Sequence, residues 1–365
     1  MSITLEKKRL HSGRNGRVSC VVVCHNEMEK IEAFFEFYRA AGVESFWFID
    51  NGSTDGTLEF LLDQQDTSVF QTFSSYGADN KGLKWSRRLT DEYLDGQWVL
   101  TVDVDEVFVW PGYPQVTLKE YLSYCDKFGI EGTMSVMVDF FPVPGAWGSF
   151  RGQSDFLSVA PTYCKDPFKV TRARHFPFFQ VKGGVRAVMI GNITTSPVLQ
   201  KMPLMKWRKG MYYLKSTHYY SHVRPMSDML CVLAHFKFSA ESRDKFALEI
   251  ERGQRWNKGI QYKRYLKGVE GGLDHKVTDA QIGRLDHLAE LHQCGLLKLT
   301  PRYARYLKDK CRKDAAFVDA LPLTQDVGFG GAKAYWSVLS RLNSSRAANF
   351  VDPSFAYDVD DVEVV

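Results

Sequence analysis

Short apolar runs alternate with amphipathic stretches through the first third of the chain. The apolar runs are rich in β-branched and aromatic residues, as in strands covered on both faces, and they span residues 18–24, 45–50, 69–73 and 98–105. The intervening segments, such as 26–42, repeat apolar residues at the spacing of one helix face. Because strands that alternate with helices are joined by right-handed crossovers, the pattern predicts an α/β fold with a mostly parallel sheet flanked by helices.

Polar residues gather directly after these predicted strands. A parallel sheet binds its ligands at the edge formed by the carboxyl ends of its strands. The polar residues at the ends of the first, second and fourth strands include Asn26, Glu27, Asp50, Asn51, Asp103 and Asp105. We therefore expect these side chains to line one binding site.

Asp103 and Asp105 stand out because the run "WVLTVDVDEVFVW" otherwise has the composition of a sheet interior. Residues two apart in a strand point to the same face, so the two carboxylates would project together. Such a pair favours a hard divalent cation, Mn²⁺ or Mg²⁺, which takes oxygen ligands and keeps coordination positions open for substrate phosphates. In the alternative interpretation, one carboxylate caps the following turn and the other is solvated.

The loop "IDNGSTDGT" (residues 49–57) supplies a second candidate contact. Asp50 closes a predicted strand, a place where acidic residues of other α/β folds accept hydrogen bonds from a nucleotide. A role in shaping the turn is the alternative for Asp50. The chain contains neither G-x-G-x-x-G nor G-x-x-x-x-G-K-[ST], so the sequence predicts neither a dinucleotide site nor a P-loop.

Composition adds little beyond this picture. The chain has 365 residues, of which 25% are charged and 44% hydrophobic, and its net charge of +4 does not indicate a polyanionic partner. Seven cysteines without C-x-x-C spacing favour a reducing compartment. No run approaches the roughly 18 apolar residues of a membrane span, and the N-terminal residues lack the apolar core of a signal peptide. The expected location is the cytoplasm, with peripheral attachment to the inner face of the membrane as an option.

Three motifs in fixed order resemble the family-2-like glycosyltransferases. They are "VVVCHNEMEKIEAFFEFYRAAGVESFWFIDNGSTDGT", "KGLKWSRRL" and "GQWVLTVDVDEVFV". The resemblance implies a GT-A fold, in the branch whose DxD motif is D-x-D-E. It also implies polysaccharide or glycolipid biosynthesis, in which a sugar passes with inversion from a nucleotide-diphosphate donor to a glycan or lipid-linked acceptor. The cation would bridge the diphosphate to Asp103 and Asp105.

In the resembled fold a histidine often completes the metal shell. His235 in "VLAHFKF", with Lys237 two residues later, and His218 in "LKSTHYYSHV" are the two candidates, and a structural role is the alternative for each. Lys237 is a candidate donor contact. Lys81 lies at the start of the third predicted helix, residues 81–96, where it would add a cation beside the positive end of the helix dipole.

Inversion, which the resemblance favours, requires a general base that takes the proton of the acceptor hydroxyl, whereas transfer with retention would require no such base. Asp139 is the candidate, because "GTMSVMVDFFPVPG" has the alternation of a strand, with one carboxylate near its end and a Pro/Gly loop after it. Asp228 and Glu106 are competitors for this role. A turn or capping role is the alternative for Asp139.

The predicted catalytic domain covers residues 17–240, with a nucleotide-sugar half at 17–110 and an acceptor half at 111–240. A helical C-terminal region is predicted for 241–350 and an acidic tail for 351–365. Within the acceptor half, "GGVRAVMI" is expected to form a short strand. The basic and aromatic stretch 239–267 is interpreted either as a helical face that rests on anionic lipid or holds an acidic acceptor, or as an ordinary solvated helix with a few core aromatics.

Two other functions are weighed against sugar transfer. A nucleotidyltransferase would carry a glycine-rich phosphate loop near its N-terminus, which "VVVCHNE" lacks. A non-catalytic module would use its basic and aromatic residues to bind a nucleotide sugar, nucleic acid or membrane. The intact pair Asp103 and Asp105 favours an enzyme, and no nucleic-acid partner is expected.

Overall fold

The computed structural model describes residues 3–12, 16–166, 168–172, 179–214, 216–220, 226–253, 256–270, 277–324 and 362–364. The strands are β1 (Ile3–Arg9), β2 (Val18–Cys24), β3 (Ser45–Asp50), β4 (Thr67–Gln71), β5 (Trp98–Thr101), β6 (Glu106–Val109), β7 (Gly132–Phe141), β8 (Thr162–Cys164), β9 (Lys169–Arg172), β10 (Phe179–Lys182), β11 (Gln200–Lys201), β12 (Leu204–Lys206), β13 (Tyr213–Leu214), β14 (Tyr219–Tyr220), β15 (Met226–His235), β16 (Ile282–Arg284) and β17 (Val362–Val364). The α-helices are α1 (Ile31–Ala40), α2 (Thr57–Asp63), α3 (Leu83–Tyr93), α4 (Leu118–Lys127), α5 (Gly184–Ile190), α6 (Ser242–Arg252), α7 (Trp256–Glu270), α8 (Pro301–Asp309) and α9 (Ala315–Ala320).

The N-terminal part is a parallel sheet in the order β5-β2-β3-β4. Its strands are buried, and α1 packs the rings of Phe34 and Phe35 against Phe46 and Phe48 of β3. Apolar residues at helical spacing thus meet the apolar centre of a buried strand, which removes both from water. The predicted α/β fold, a central sheet flanked by helices, is confirmed.

The sheet continues beyond β5 as a mixed sheet. β12 lies antiparallel between β5 and β7, and β15 runs parallel to β7 and antiparallel to β6. The register of β15 sets His235 opposite Glu106 of β6 and opposite Asp139 of β7. This register brings three distant polar residues to one edge of the sheet.

The fourth predicted strand is shorter than its sequence pattern indicates. β5 ends at Thr101, and a turn closed by the Glu106 amide donating to the Asp103 carbonyl (3.0 Å) leads into β6. Asp103 and Asp105 therefore lie on a turn, and the expectation that they share one face of a strand is wrong. The chain turns here because β6 pairs with β15 instead of continuing beside β2.

The segment "GGVRAVMI" is a helix, α5, and its interpretation as a strand is wrong. Gly183 and Gly184 adopt positive φ values of 143° and 65°, which lets the chain leave β10 and start the helix at once. Val185 and Met189 are buried at the four-residue spacing of a helix face. A short run of β-branched residues fits either structure, and the glycines decide between them.

The C-terminal part begins with α6 and α7, which pack on each other and share a small apolar core with α5. Residues 277–324 contain α8, α9 and β16, the last paired with β8. Within the predicted helical region 241–350 and acidic tail 351–365, residues 254–255, 271–276, 325–361 and 365 lie outside the described residues, and the domain boundaries stay predictions. No helix in the described part of the chain combines the length and apolar character that a bilayer span requires.

Candidate active site

A cleft lies at the carboxyl ends of the parallel strands. Residues on its walls include Glu27, Asn51, Asp103, Asp105, Lys237, Lys245 and Arg252. The structure thus brings five of the predicted site residues together: four from the strand ends named by the edge argument, and Lys237. Two further side chains of this set come from α6, which the sequence analysis placed outside the catalytic domain.

A buried chain of charged groups extends from the cleft into the sheet. His235 Nε2 lies 3.4 Å from Asp105 Oδ2, and His235 Nδ1 lies 2.6 Å from Asp139 Oδ1. Arg186 Nε donates to Asp139 Oδ2 at 2.7 Å. Lys237 Nζ lies 3.4 Å from Asp105 Oδ2, so that carboxylate meets two basic groups.

A second group surrounds Glu106, which is fully buried. The Asp103 amide donates to Glu106 Oε2 at 3.1 Å, and the Lys201 ammonium donates to Glu106 Oε1. Lys201 Nζ also lies 3.3 Å from Asp103 Oδ2, whose side chain is 60% exposed. The sequence analysis gave Lys201 no role.

These contacts set the protonation of the two acidic groups differently. Burial would raise the pKa of Asp105, but the charges of Lys237 and His235 outweigh it and hold the pKa well below the usual range. For Glu106, burial dominates over the attraction of Lys201, and the pKa is raised. The pKa of His235 is raised, because Asp105 and Asp139 outweigh the opposing effect of burial.

The donor set fits a hard divalent cation. Asp105, Glu106 and His235 each offer a ligand atom, and these atoms lie within 4.8 Å of one another. Two carboxylates and one imidazole match the oxygen and nitrogen ligands of Mn²⁺, and Asp103 stands beside them with an exposed carboxylate. A bound ion would compete with Lys201 and Lys237 for these oxygens.

The Asp50 side chain stabilises the loop that follows β3. Its carboxylate is 0% exposed and accepts hydrogen bonds from the Gly52 amide (3.1 Å), the Ser53 amide (3.2 Å) and Gln71 Nε2 (3.0 Å). Asn26, at φ 55°, accepts from the Thr54 amide at 2.8 Å. Both side chains hold the loops of the cleft in place, and their contact with a donor stays a prediction.

Helix α6 places cations over the ends of β2 and β3. Lys245 Nζ lies 2.7 Å from Glu27 Oε2, and Arg252 donates to Asn51 Oδ1 at 2.6 Å. Burial alone would lower the pKa of Lys245, but Glu27 outweighs it and raises the pKa. The basic composition of 239–267 signals these residues, yet the sequence analysis interpreted it as a lipid-facing or solvated surface.

The remaining predicted residues lie in different surroundings. Lys81 has φ 62° and precedes α3, and its amide donates to the Tyr76 carbonyl at 2.7 Å. His218 Nδ1 donates to the Gln200 carbonyl at 2.6 Å, and burial lowers the pKa of His218 to about 3. Within the described residues the grouping of potential metal ligands contains His235 and not His218. Asp228 pairs with Arg302 at 2.9 Å.

Comparison with known proteins bears on the strands that form this cleft. Residues 19–109 match the model of Glycosyl transferase family 2. The family 2 segment runs from β2 through β6 and includes the turn with Asp103 and Asp105. The predicted resemblance to family-2-like glycosyltransferases is confirmed over this segment, which supports a nucleotide-sugar glycosyltransferase. The assignment to the D-x-D-E branch stays a prediction.

Solved structures similar to this chain include sugar nucleotidyltransferases. A protein assigned as glucose-1-phosphate thymidylyltransferase from Bacillus anthracis, in complex with sucrose, gives a TM-score of 0.24 and 8% identity over 36% of this chain and 58% of its own. A UDP-glucose pyrophosphorylase complexed with UDP-glucose gives a TM-score of 0.27 and 10% identity, with 52% of this chain and 75% of the pyrophosphorylase chain covered. A UTP-bound enzyme of that type from Acinetobacter baumannii gives a TM-score of 0.26 and 12% identity, with 70% of this chain and 83% of its own chain covered. Similarity at this level says nothing about function.

By sequence, none of the curated proteins matches the chain significantly.

Proposed function

We propose that the protein is a metal-dependent glycosyltransferase that moves a sugar from a nucleotide-diphosphate donor to a glycan or lipid-linked acceptor, with inversion. One observation carries this proposal. The strands of the family 2 segment end in a cleft where Asp103 and Asp105 stand beside Glu106, His235 and two lysines.

The reaction separates a sugar from a diphosphate, which gains negative charge as it leaves. Asp105, Glu106 and His235 would hold the cation, with Asp103 beside them. A divalent ion bound there supplies Lewis-acid neutralisation of the leaving diphosphate. The protein's part is to fix the ligand atoms and to keep them away from bulk water, which strengthens their interaction with charge.

Basic side chains that line the cleft support recognition of the diphosphate. Lys237, Lys245 and Arg252 line the cleft and are all less than one third exposed. Each now contacts an acidic or amide group of the protein, so a bound diphosphate would exchange with those partners. Ion pairs with phosphate are stronger in such partly buried sites than at the surface.

The sequence analysis predicts that Asp139 is the general base, and its surroundings bear on that prediction. Its side chain is 0% exposed, and its two oxygens accept from Arg186 and His235. Burial would raise the pKa of Asp139, but Arg186 and His235 lower it, which makes the carboxylate a weak base. An acceptor hydroxyl would have to replace one of these contacts.

Peripheral contact of residues 239–267 with anionic lipid also stays a prediction.

A donor screen tests the proposal. Nucleotide sugars are added with Mn²⁺ to the full chain, and the melting temperature is recorded for the parent, for Asp105→Ala and for Asp126→Ala, which removes a carboxylate away from the cleft. One or two donors should stabilise the parent and Asp126→Ala, by about 2.7 kcal/mol at 100 times Kd, and should not stabilise Asp105→Ala. Stabilisation that survives both EDTA and Asp105→Ala would contradict metal-dependent donor binding.

A further inference from the structure

We propose that Asp139 is a positioning residue that fixes the His235 ring so that Nε2 faces the cation held by Asp105 and Glu106. This inference rests on the metal dependence of the proposed function. It gives Asp139 a different role from the general base that the sequence suggests. The two roles predict different behaviour of the metal site.

The strand register places His235 between two acidic neighbours. On one side it pairs with Glu106 of β6, and on the other with Asp139 of β7. Its side chain is 4% exposed, so the ring cannot find water partners to replace those in the protein. Its two nitrogens point at different carboxylates, with Nδ1 at 2.6 Å from Asp139 Oδ1 and Nε2 at 3.4 Å from Asp105 Oδ2.

Arg186 fixes which ring nitrogen carries a proton. It donates to Asp139 Oδ2 at 2.7 Å, and its other contacts include Met137 Sδ, so Asp139 stays ionised and can only accept hydrogen bonds. Nδ1 of His235 must then carry the hydrogen that it shares with Asp139. Nε2 is left as the nitrogen that can present a lone pair toward Asp105 and Glu106. Carboxylates that hold metal-binding histidines in this way act on tautomer, orientation and basicity.

The substitution Asp139→Asn exposes this role. An amide offers one acceptor oxygen and one donor NH₂ group. Because the Arg186 Nε–H needs an acceptor, the amide oxygen stays toward Arg186 and the NH₂ group faces His235. Nδ1 must then accept, which moves the ring proton to Nε2 and removes the lone pair that would bind metal. The nearly isosteric change therefore selects the wrong tautomer.

Removing Arg186 as well should reverse much of this effect. In Asp139→Asn/Arg186→Met no guanidinium holds the amide oxygen, so the amide can rotate and accept from His235 Nδ1. The double variant also avoids the unpaired buried charge that Asp139→Asn leaves on Arg186. A double variant that folds but binds Mn²⁺ no better than Asp139→Asn would contradict the tautomer of His235 as the cause.

Calorimetric titration of Mn²⁺ into the full chain tests the assignment. Asp139→Asn should weaken Mn²⁺ binding roughly ten- to hundredfold, as expected for loss of a residue that orients a ligand. Asp139→Asn/Arg186→Met should return to within a few-fold of the parent. The matched control is Asp126→Asn, which alters a carboxylate that lies away from the cleft and accepts a hydrogen bond from Arg17 (2.7 Å). This variant should bind Mn²⁺ with the affinity of the parent. Equal affinity of Asp139→Asn and the parent would overturn the proposal and favour the general-base role.

A measurement on the unaltered chain covers the case in which Asp139→Asn does not fold. Nitrogen-15 spectra of labelled histidine report the protonation of each ring nitrogen. In the metal-free chain, at a pH high enough for the ring to be neutral, His235 should carry its single proton on Nδ1, and adding Zn²⁺ should shift the Nε2 signal. A proton on Nε2 with a bare Nδ1 would refute the assignment. If the parent binds no Mn²⁺, the proposed metal dependence fails, whereas the spectra still decide whether Asp139 sets the tautomer.

Discussion

Lys201 is the basic neighbour of two acidic side chains, the buried Glu106 and the exposed Asp103. Its ammonium donates to Glu106 and lies 3.3 Å from Asp103, while Lys237 and His235 approach Asp105 and Arg186 approaches Asp139. Each acidic group near the turn therefore has a basic neighbour without any metal. The opposing charges of Asp103 and Glu106 outweigh burial and raise the pKa of Lys201, so this lysine keeps its proton throughout the ordinary pH range.

Lys201→Met should destabilise the protein by about 3 kcal/mol at pH 8, because Glu106 would be left buried and charged without its main partner. The pKa of Glu106 is already raised by burial and would rise further. A carboxylate whose folded pKa exceeds its unfolded value costs stability above the folded pKa, and this cost disappears as the pH falls toward the unfolded value. The deficit measured by urea unfolding should therefore shrink at pH 5.

Lys206→Met is the control for this experiment. Lys206 pairs with Asp126 at 3.0 Å, and both side chains are about one third exposed, so its loss should cost under about 1 kcal/mol at either pH. A pH-independent deficit for Lys201→Met would show that lost packing, and not the charge of Glu106, is responsible.

At the scale of elements, β15 and α6 complete the site that the parallel strands begin. β15 delivers His235 next to Glu106 and Asp139, and α6 delivers Lys245 and Arg252 to the cleft. The family 2 segment ends at residue 109, so both elements lie outside it. Helix α6 is therefore expected to act in donor binding although it follows the predicted catalytic domain.

Arg252→Gln should weaken binding of the donor found in the screen by roughly tenfold or more, the effect of losing one hydrogen bond to a charged group. Glutamine retains a donor for Asn51 but lacks the positive charge for the diphosphate. Donor titration in the presence of Mn²⁺ measures the change. Arg243→Gln, on an exposed position of the same helix, should bind as the parent does. Equal loss in both variants would indicate a long-range charge effect in place of a direct contact.

At the scale of the whole molecule, the acidic turn is balanced by residues from the rest of the sheet. Treatment of the chain with EDTA should therefore leave its melting temperature nearly unchanged, whereas donor with Mn²⁺ should raise it, because ligand binds only the folded state. Differential scanning calorimetry measures both shifts. Unfolding on removal of metal would mean that an ion, and not Lys201 and Lys237, neutralises the turn.

Local pattern predicted the parallel half of the fold well. The four strands of residues 18–101 and the helices between them follow from apolar runs and helical spacing, and the family match confirms the resemblance there. The same reasoning failed where short apolar runs were ambiguous. The segment that forms α5 was predicted to be a strand. β5 was predicted to extend four residues further, because the apolar pattern does not show a turn that is imposed by pairing with another strand.

Within the candidate site, sequence reasoning identified the residues on the strand ends and on β15. It did not identify Lys201, Lys245 or Arg252 as members of the site. Lys201 contacts Asp103, which is 98 residues away in the sequence, and Arg252 contacts Asn51, which is 201 residues away. Such pairs depend on the register of distant strands and on the docking of a helix, and no local spacing encodes either.

The sequence by itself determined the parallel strands, the helices that cover them and the position of the acidic pair at the carboxyl edge, since these depend on which residues avoid water within a few turns of chain. Only the tertiary structure decided that a buried lysine neutralises the turn, that His235 lies between two carboxylates and that α6 closes the cleft. Those outcomes depend on how β15, β11 and α6 pack, and charge pairing across the folded molecule selects partners that are far apart in the chain.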